Sequence, residues 1–173
     1  MKKSLVDHLA QYAAYHRDPR NIATHFIGIP LIVVAVAVLL SRPQWGGGWL
    51  SPAVLVSLAS AWFYLRLERR LGVLMTVLLG LCVWAGNVLA QQSTLVWLSS
   101  GVGMFVVGWA IQFVGHHYEG RKPAFVDDVT GLIVGPLFVV AEVAFMLGLR
   151  RGLKEQIEAR VGGVRLNPNR AAA

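Results

Sequence analysis

Charge is what this sequence has least of. Lys, Arg, Asp and Glu together make up 14% of its 173 residues, where a soluble domain carries about 25%. That shortfall, with 55% hydrophobic residues and a mean hydropathy of +0.56, argues against an ordinary water-exposed domain and for a membrane protein. Cysteine is nearly missing. Cys82 is the only one and lies in an apolar run, which excludes an intramolecular disulfide and a thiolate metal cage. Compact catalytic motifs are missing too: there is no GxSxG elbow, P-loop, Gly-rich dinucleotide turn or HExxH.

The net charge of +7 would suit nucleic acid if it formed a stripe with interleaved aromatics. Instead the basic residues sit in short groups beside hydrophobic runs, as anchors at anionic lipid headgroups do. No nucleic acid partner is therefore expected. The opening MKKSLVDHLAQY places Asp7, His8 and Gln11 before any long apolar stretch, unlike a cleavable signal peptide. Trp45, Trp49 and Trp97 flank apolar runs as interface anchors.

Five hydrophobic segments stand out, at 22–40, 49–65, 71–90, 95–115 and 129–149, against the roughly 20 residues that a span needs. Lys2, Lys3, Arg17 and Arg20 precede the first. Arg66, Arg69 and Arg70 separate the second and third, and Arg121 and Lys122 follow the fourth. The positive-inside rule then places these groups on the cytosolic side. The fifth segment breaks the pattern, because a crossing would carry Arg150, Arg151, Lys154, Arg160 and Arg165 outside. It also holds Glu142, costly at the bilayer centre, and Pro136, which favours a break just before it. A bent or re-entrant segment is expected, with a fifth complete span as the alternative.

The expected fold is thus an all-α polytopic membrane helical bundle. It has four full spans, an N-terminal interfacial helix and the bent fifth segment. Residues 1–155 form a single membrane-embedded catalytic domain and 156–173 a polar, poorly ordered tail. The N-terminal helix shares one face among Leu5, Leu9, Tyr12, Ala13 and His16, begins at Ser4 or Asp7, and ends at Asp18-Pro19. Asn21 suits the N-cap of the first span. Gly101, Gly103, Gly108 and Ala110 offer the fourth span close packing. Oligomeric state is not readable from the sequence.

None of the five histidines falls on the outer side of this topology. His16 and His25 flank the Pro19 turn, so both can converge where one continuous helix would set them about 180° apart. His116 ends the fourth segment at the same membrane depth, with His117 beside it and Glu119 three residues on. Imidazoles from three segments suit iron, zinc, copper or nickel. Asp127, Asp128 and Glu142 are candidates to orient them as hydrogen-bond acceptors, and Asn21 is grouped with these supporting residues. Read singly, each histidine fits an interfacial or hydrogen-bonded residue better than a ligand. From the residues alone a metal-dependent lipid enzyme, such as a zinc hydrolase, and a non-enzymatic lipid- or metal-binding membrane protein both stay open.

Two stretches narrow this. Tyr15-His16, Asn21, His25, Gly28 and Pro30 match the pattern YHxxxxNxxxHxxGxP, and Gln112-Phe113-Val114-Gly115-His116 forms a second motif with Glu119, Arg121, Pro123 and Ala124. Together with Pro136-Leu137-Phe138 and Glu142, they resemble the membrane 2-hydroxy-fatty-acid dioxygenase family over residues 4–150. The resemblance implies Fe(2+)-dependent alpha-oxidation, in which a 2-hydroxy fatty acid and O2 react and the acid is shortened by one carbon. It implies iron binding by His16, His25 and His116, with His117 kept as a further candidate ligand and Glu119 as a catalytic candidate. Arg17, Arg20 or Arg121 would pair with the substrate carboxylate, while the acyl chain and membrane lipid lie among apolar helices. The setting would be the bacterial inner membrane, or the endoplasmic reticulum in a eukaryote, with the active site facing the cytosol.

Overall fold

The computed structural model describes residues 3–165. These fold as helices without strands, in chain order α1 (Leu5–Ala13), α2 (Pro19–Leu40), α3 (Pro52–Leu67), α4 (Arg69–Ala90), α5 (Thr94–Glu119), α6 (Gly131–Met146) and α7 (Arg151–Val161), with short 3-10 turns at Gly46–Gly48 and Ala124–Val126. Two compact units emerge. One holds the described residues of Met1–Ile27 and Ile111–Ala173, the other Gly28–Ala110.

In the first unit, α1 is opened by a capping box. Asp7 N–H donates to Ser4 Oγ at 3.2 Å while Ser4 N–H donates to Asp7 Oδ2 at 2.6 Å, which satisfies donors that a helix start leaves over. The apolar face of α1, expected for an interfacial helix, is covered by protein. It packs against α6 and α7 and buries Leu5, Leu9, Tyr12 and Ala13. Complete burial of a leucine such as Leu9 stabilises by about 1.5–3 kcal/mol. From α7, Leu153 and Ile157 complete this core, so residues 156–161, expected in the tail, are helical. The tail from 166 onward lies outside the described residues.

Helix α2 starts at Pro19, earlier than expected, because Asp18 Oδ1 accepts Arg20 N–H at 2.8 Å. Proline needs no such partner at the first helical position. Asn21 is therefore inside the first turn and not its cap. The fifth hydrophobic segment ends in a sharp bend, with 116° between α6 and the α7 that follows it. The break does not fall before Pro136, which lies inside α6. Losing one backbone hydrogen bond there is offset by burial of Val134, Leu137 and Phe138. The chain turns instead at Gly148 and Arg150, both with left-handed backbone (φ 74° and 56°).

The second unit contains the α3–α4 pair, which meets at Glu68. That residue caps α4 by accepting from Arg70 N–H at 3.0 Å and Leu71 N–H at 2.9 Å. The two helices pack against each other. Gly101 abuts Leu39 and Gly108 abuts Gly28 and Ile32, as close packing requires, whereas Gly103 faces open space. Three helices, α2, α4 and α5, are long and apolar enough to span a bilayer, and the bent α6–α7 pair gives a fourth candidate. Helix α3 is shorter than expected: 16 residues reach about 24 Å, against about 30 Å of hydrocarbon. Trp49 and Leu50 do not extend it, because the Trp45–Leu50 bridge folds them into a loop. On α4, Val73, Val77, Leu81, Trp84 and Val88 leave one continuous apolar face exposed, the surface a lipid environment would cover.

A candidate metal centre of three buried histidines

Each imidazole of the cluster is delivered by a different device. After α1 ends, His16 N–H bonds Ala13 O at 2.9 Å and the chain turns through Asp18-Pro19. His25 follows on the second turn of α2, and His116 stands on the last turn of α5. Ring centroids lie 4.3 Å apart for His16–His25, 5.0 Å for His16–His116 and 5.1 Å for His25–His116. One ligating nitrogen from each lies within 4.8 Å of the others. All three side chains are buried.

The hydrogen bonds fix the protonation pattern. His16 Nδ1 faces Tyr12 O at 2.7 Å and His25 Nδ1 faces Asn21 O at 2.8 Å. A carbonyl oxygen can only accept, so both Nδ1 atoms carry hydrogen. A neutral imidazole then has its lone pair on Nε2, and the two Nε2 atoms lie 2.9 Å apart. Facing lone pairs repel unless a cation or proton lies between them. Burial pushes His16 well below its ordinary pKa, and the neighbouring imidazoles add to this, so a shared proton is disfavoured. Nδ1 of His116 is also buried without a hydrogen-bond partner. This donor set fits a metal ion, and backbone carbonyls are the outer acceptors that orient ligating imidazoles. Tyr12 closes one side, its ring stacked on His16 at 4.1 Å and 3°, with Phe138 at 5.6 Å from His16.

The convergence of His16, His25 and His116 matches the expectation from sequence, but several neighbours do not. His117 points outward, its ring 6.1 Å from that of Tyr118, because adjacent helical residues diverge by about 100°. Glu119 is buried but outside the three-histidine group. Its Oε2 accepts from Arg17 N–H at 3.0 Å, Asp18 N–H at 2.8 Å and Asn21 Nδ2 at 3.1 Å. Asp127 accepts from Tyr15 Oη at 2.7 Å, and Asp128 from Gln11 Nε2 at 3.1 Å. Asp128 thus fastens α1 and Asp127 the residues just after it, neither being hydrogen-bonded to the imidazoles, and Glu142 sits half-buried on α6 outside the group. Asn21 does reach the cluster, its backbone carbonyl facing His25 Nδ1.

The arginines are engaged elsewhere. Arg17 donates from Nε and Nη2 to Gly163 O, both at 3.2 Å. Arg20 pairs with Asp18 at 2.8 Å and covers the Tyr118 ring at 4.5 Å. Arg121 donates to Ala14 O at 2.9 Å. His8 lines a separate cavity with Gln11, Tyr12, Tyr15 and Asp128, with room for about one water.

Sequence reasoning named Gln112 and Gly115 only as motif positions and gave neither a role. Gln112 is buried on the same face of α5 as His116, one turn earlier, and its Oε1 has no partner. A lone polar residue in an uncharged run was the signal. At Gly115, a Cβ would overlap the Thr24 hydroxyl and approach Asn21 Oδ1 to 2.5 Å, so glycine lets α5 close on the turn that carries Asn21 and His25.

The fold and site define an all-helical protein of membrane-spanning character with a buried, histidine-lined centre able to hold a metal. Residues 2–147 match the family model described as 2-hydroxy-palmitic acid dioxygenase Mpo1-like. The chain is also 34% identical over 163 residues, 91% of each chain, to the 2-hydroxy-palmitic acid dioxygenase MPO1 of Saccharomyces cerevisiae. It belongs to the Mpo1-like family. No solved structure matches it.

Proposed function

We propose that this chain is a membrane-embedded non-haem iron dioxygenase that shortens 2-hydroxy fatty acids by one carbon, using O2, at the cytosolic face of its membrane. The observation that carries this reading is the pair of buried imidazoles with opposed Nε2 lone pairs, in a chain similar to a 2-hydroxy-palmitic acid dioxygenase. The catalytic domain extends past residue 155 to take in α7, whose Leu153 and Ile157 are buried. His16, His25 and His116 hold the metal. A bound ferrous ion would supply redox chemistry with O2 and open positions for a chelating 2-hydroxy acid.

The protein's own part is arrangement and exclusion. Tyr12 O and Asn21 O keep Nδ1 protonated on His16 and His25, which leaves Nε2 free to ligate. Tyr12 and Phe138 shield the cluster from water. Gln112 and Asn21 offer buried oxygens without hydrogen-bond partners, suited to the substrate's hydroxyl. Among the described residues Arg121 spends a single donor, on Ala14 O, so it is the arginine best placed to spare donors for the carboxylate. The acyl chain and surrounding lipid take the apolar helix faces.

Metal analysis of anaerobically purified protein, followed by incubation with 2-hydroxypalmitate and O2, tests the assignment. Stoichiometric iron and a product one carbon shorter are expected. Stoichiometric zinc would move the chain to hydrolytic chemistry, and absence of bound metal to a non-enzymatic carrier.

A further inference from the structure

We propose that Glu119 is a positioning residue for the three-histidine cluster and that Arg165 is its charge partner, which makes the segment after α7 part of the site's framework. The inference rests on the metal-centre reading above. Glu119 is the last residue of α5, three beyond His116, and its side chain is fully buried. A single oxygen, Oε2, gathers the N–H groups of Arg17 and Asp18, which directly follow His16, and the amide of Asn21, whose carbonyl holds His25. One carboxylate oxygen therefore ties the helix of His116 to the segments carrying both other imidazoles. With three donors already on it, Oε2 serves as a brace rather than a ligand.

The other oxygen explains the role of the C-terminal segment. Glu119 Oε1 is buried and makes no hydrogen bond, and the Arg165 guanidinium lies 3.6 Å away. A buried carboxylate is costly unless it is paired and hydrogen-bonded. Arg165 is itself held in place, because its N–H donates to Arg17 O at 2.8 Å. The Arg17 guanidinium returns two hydrogen bonds to Gly163 O. This reciprocal clasp fits closely over the turn that follows His16: a Cβ at Gly162, where φ is +78°, would come within 2.6 Å of Arg17 Nη2. Loss of Arg165 leaves Glu119 without its countercharge, and loss of the Glu119 charge loosens the three donors that set the turn.

The test is anaerobic titration of the full-length protein in lipid nanodiscs with Fe(II), and with Co(II) as a spectroscopic probe. Wild type is compared with Glu119→Gln, Arg165→Ala and Arg165→Lys. Outer partners of metal ligands typically govern affinity by about 10–100-fold. Glu119→Gln is expected to weaken binding within that range and Arg165→Ala toward its lower end, both with altered Co(II) absorption and unchanged helical circular dichroism. Arg165→Lys, which keeps the charge and the backbone donor, is expected to restore affinity and spectrum. Should Glu119→Gln lose helicity, the Arg165 pair decides, since that side chain is only a partner and lies partly in solvent. Wild-type affinity and spectrum in both Glu119→Gln and Arg165→Ala would overturn the proposal while leaving the metal centre intact, even if activity fell. Absence of metal binding in wild type would overturn the metal-centre reading and this inference with it.

Discussion

Nδ1 on His16 and His25 is committed to backbone carbonyls, so each residue has one nitrogen left for chemistry. Replacing either, or His116, with alanine removes a ligand outright. The expected loss of metal affinity exceeds the roughly 10–100-fold typical of outer partners, with activity lost in parallel. His117→Ala, on the outward face of α5, should retain both, and metal content by mass spectrometry with turnover of 2-hydroxypalmitate separates the two classes. Gln112 allows a sharper distinction. Its buried Oε1 has no partner, so Gln112→Leu removes an unsatisfied polar group and should leave the thermal midpoint unchanged or higher. If that oxygen receives the substrate hydroxyl, KM should rise about tenfold, the equivalent of one lost hydrogen bond. A drop in thermal stability without a change in KM would make Gln112 structural.

Among the elements, α1 and the residues that flank it are fastened by side chains that no local pattern reveals. Asp7 pairs with Arg160, Asp127 with Tyr15 and Lys122, and Asp128 with Lys3, Gln11 and Thr130. Hydrogen bonds hold all three carboxyls below the ordinary aspartate range: from Ser4 for Asp7, from Lys122 and Tyr15 for Asp127, and from Thr130 for Asp128. A depressed folded pKa means the unfolded chain takes up protons first as pH falls. The stability from these contacts is therefore present above about pH 4 and lost on acidification below it. Thermal melts between pH 7 and pH 3 should show the midpoint fall below pH 4, and Asp7→Asn with Asp128→Asn should flatten that fall while lowering the midpoint at pH 7. Gly115→Ala is expected to cost about 1–3 kcal/mol by overpacking, seen in the same melts. The histidine convergence was legible because a proline turn and a charge pattern are local signals. The bracing role of Glu119 was not, since its partners lie 98–102 residues away. Likewise Pro136 signalled a break that burial of its neighbours overrides, and Trp49 and Leu50 supplied apolar character that a loop consumes.

For the molecule as a whole, topology follows from which ends must meet. His25 lies near the start of α2 and His116 at the end of α5, and both belong to one cluster. A bilayer crossing by α2 therefore has to be undone before or by α5. Since α5 itself is long enough to cross, α3 and α4 must cross as a pair or not at all. Should α4, at 22 residues, cross the bilayer, α3 would have to cross with it despite its shortness, by local thinning of the bilayer. The remaining question is the fifth segment. Helix α7 packs on α1, and Arg165 N–H bonds Arg17 O, so the residues after α6 lie on the side where α1 lies. Positive charge agrees, because Arg150, Arg151, Lys154, Arg160 and Arg165 would otherwise be translocated. Reporters fused after residue 173 and before residue 1 should thus give the same cytosolic signal, while a reporter in the loop after α2 should give the opposite one. A C-terminal fusion active outside the membrane would mean that α6 crosses completely, and would be incompatible with the Arg17–Arg165 clasp.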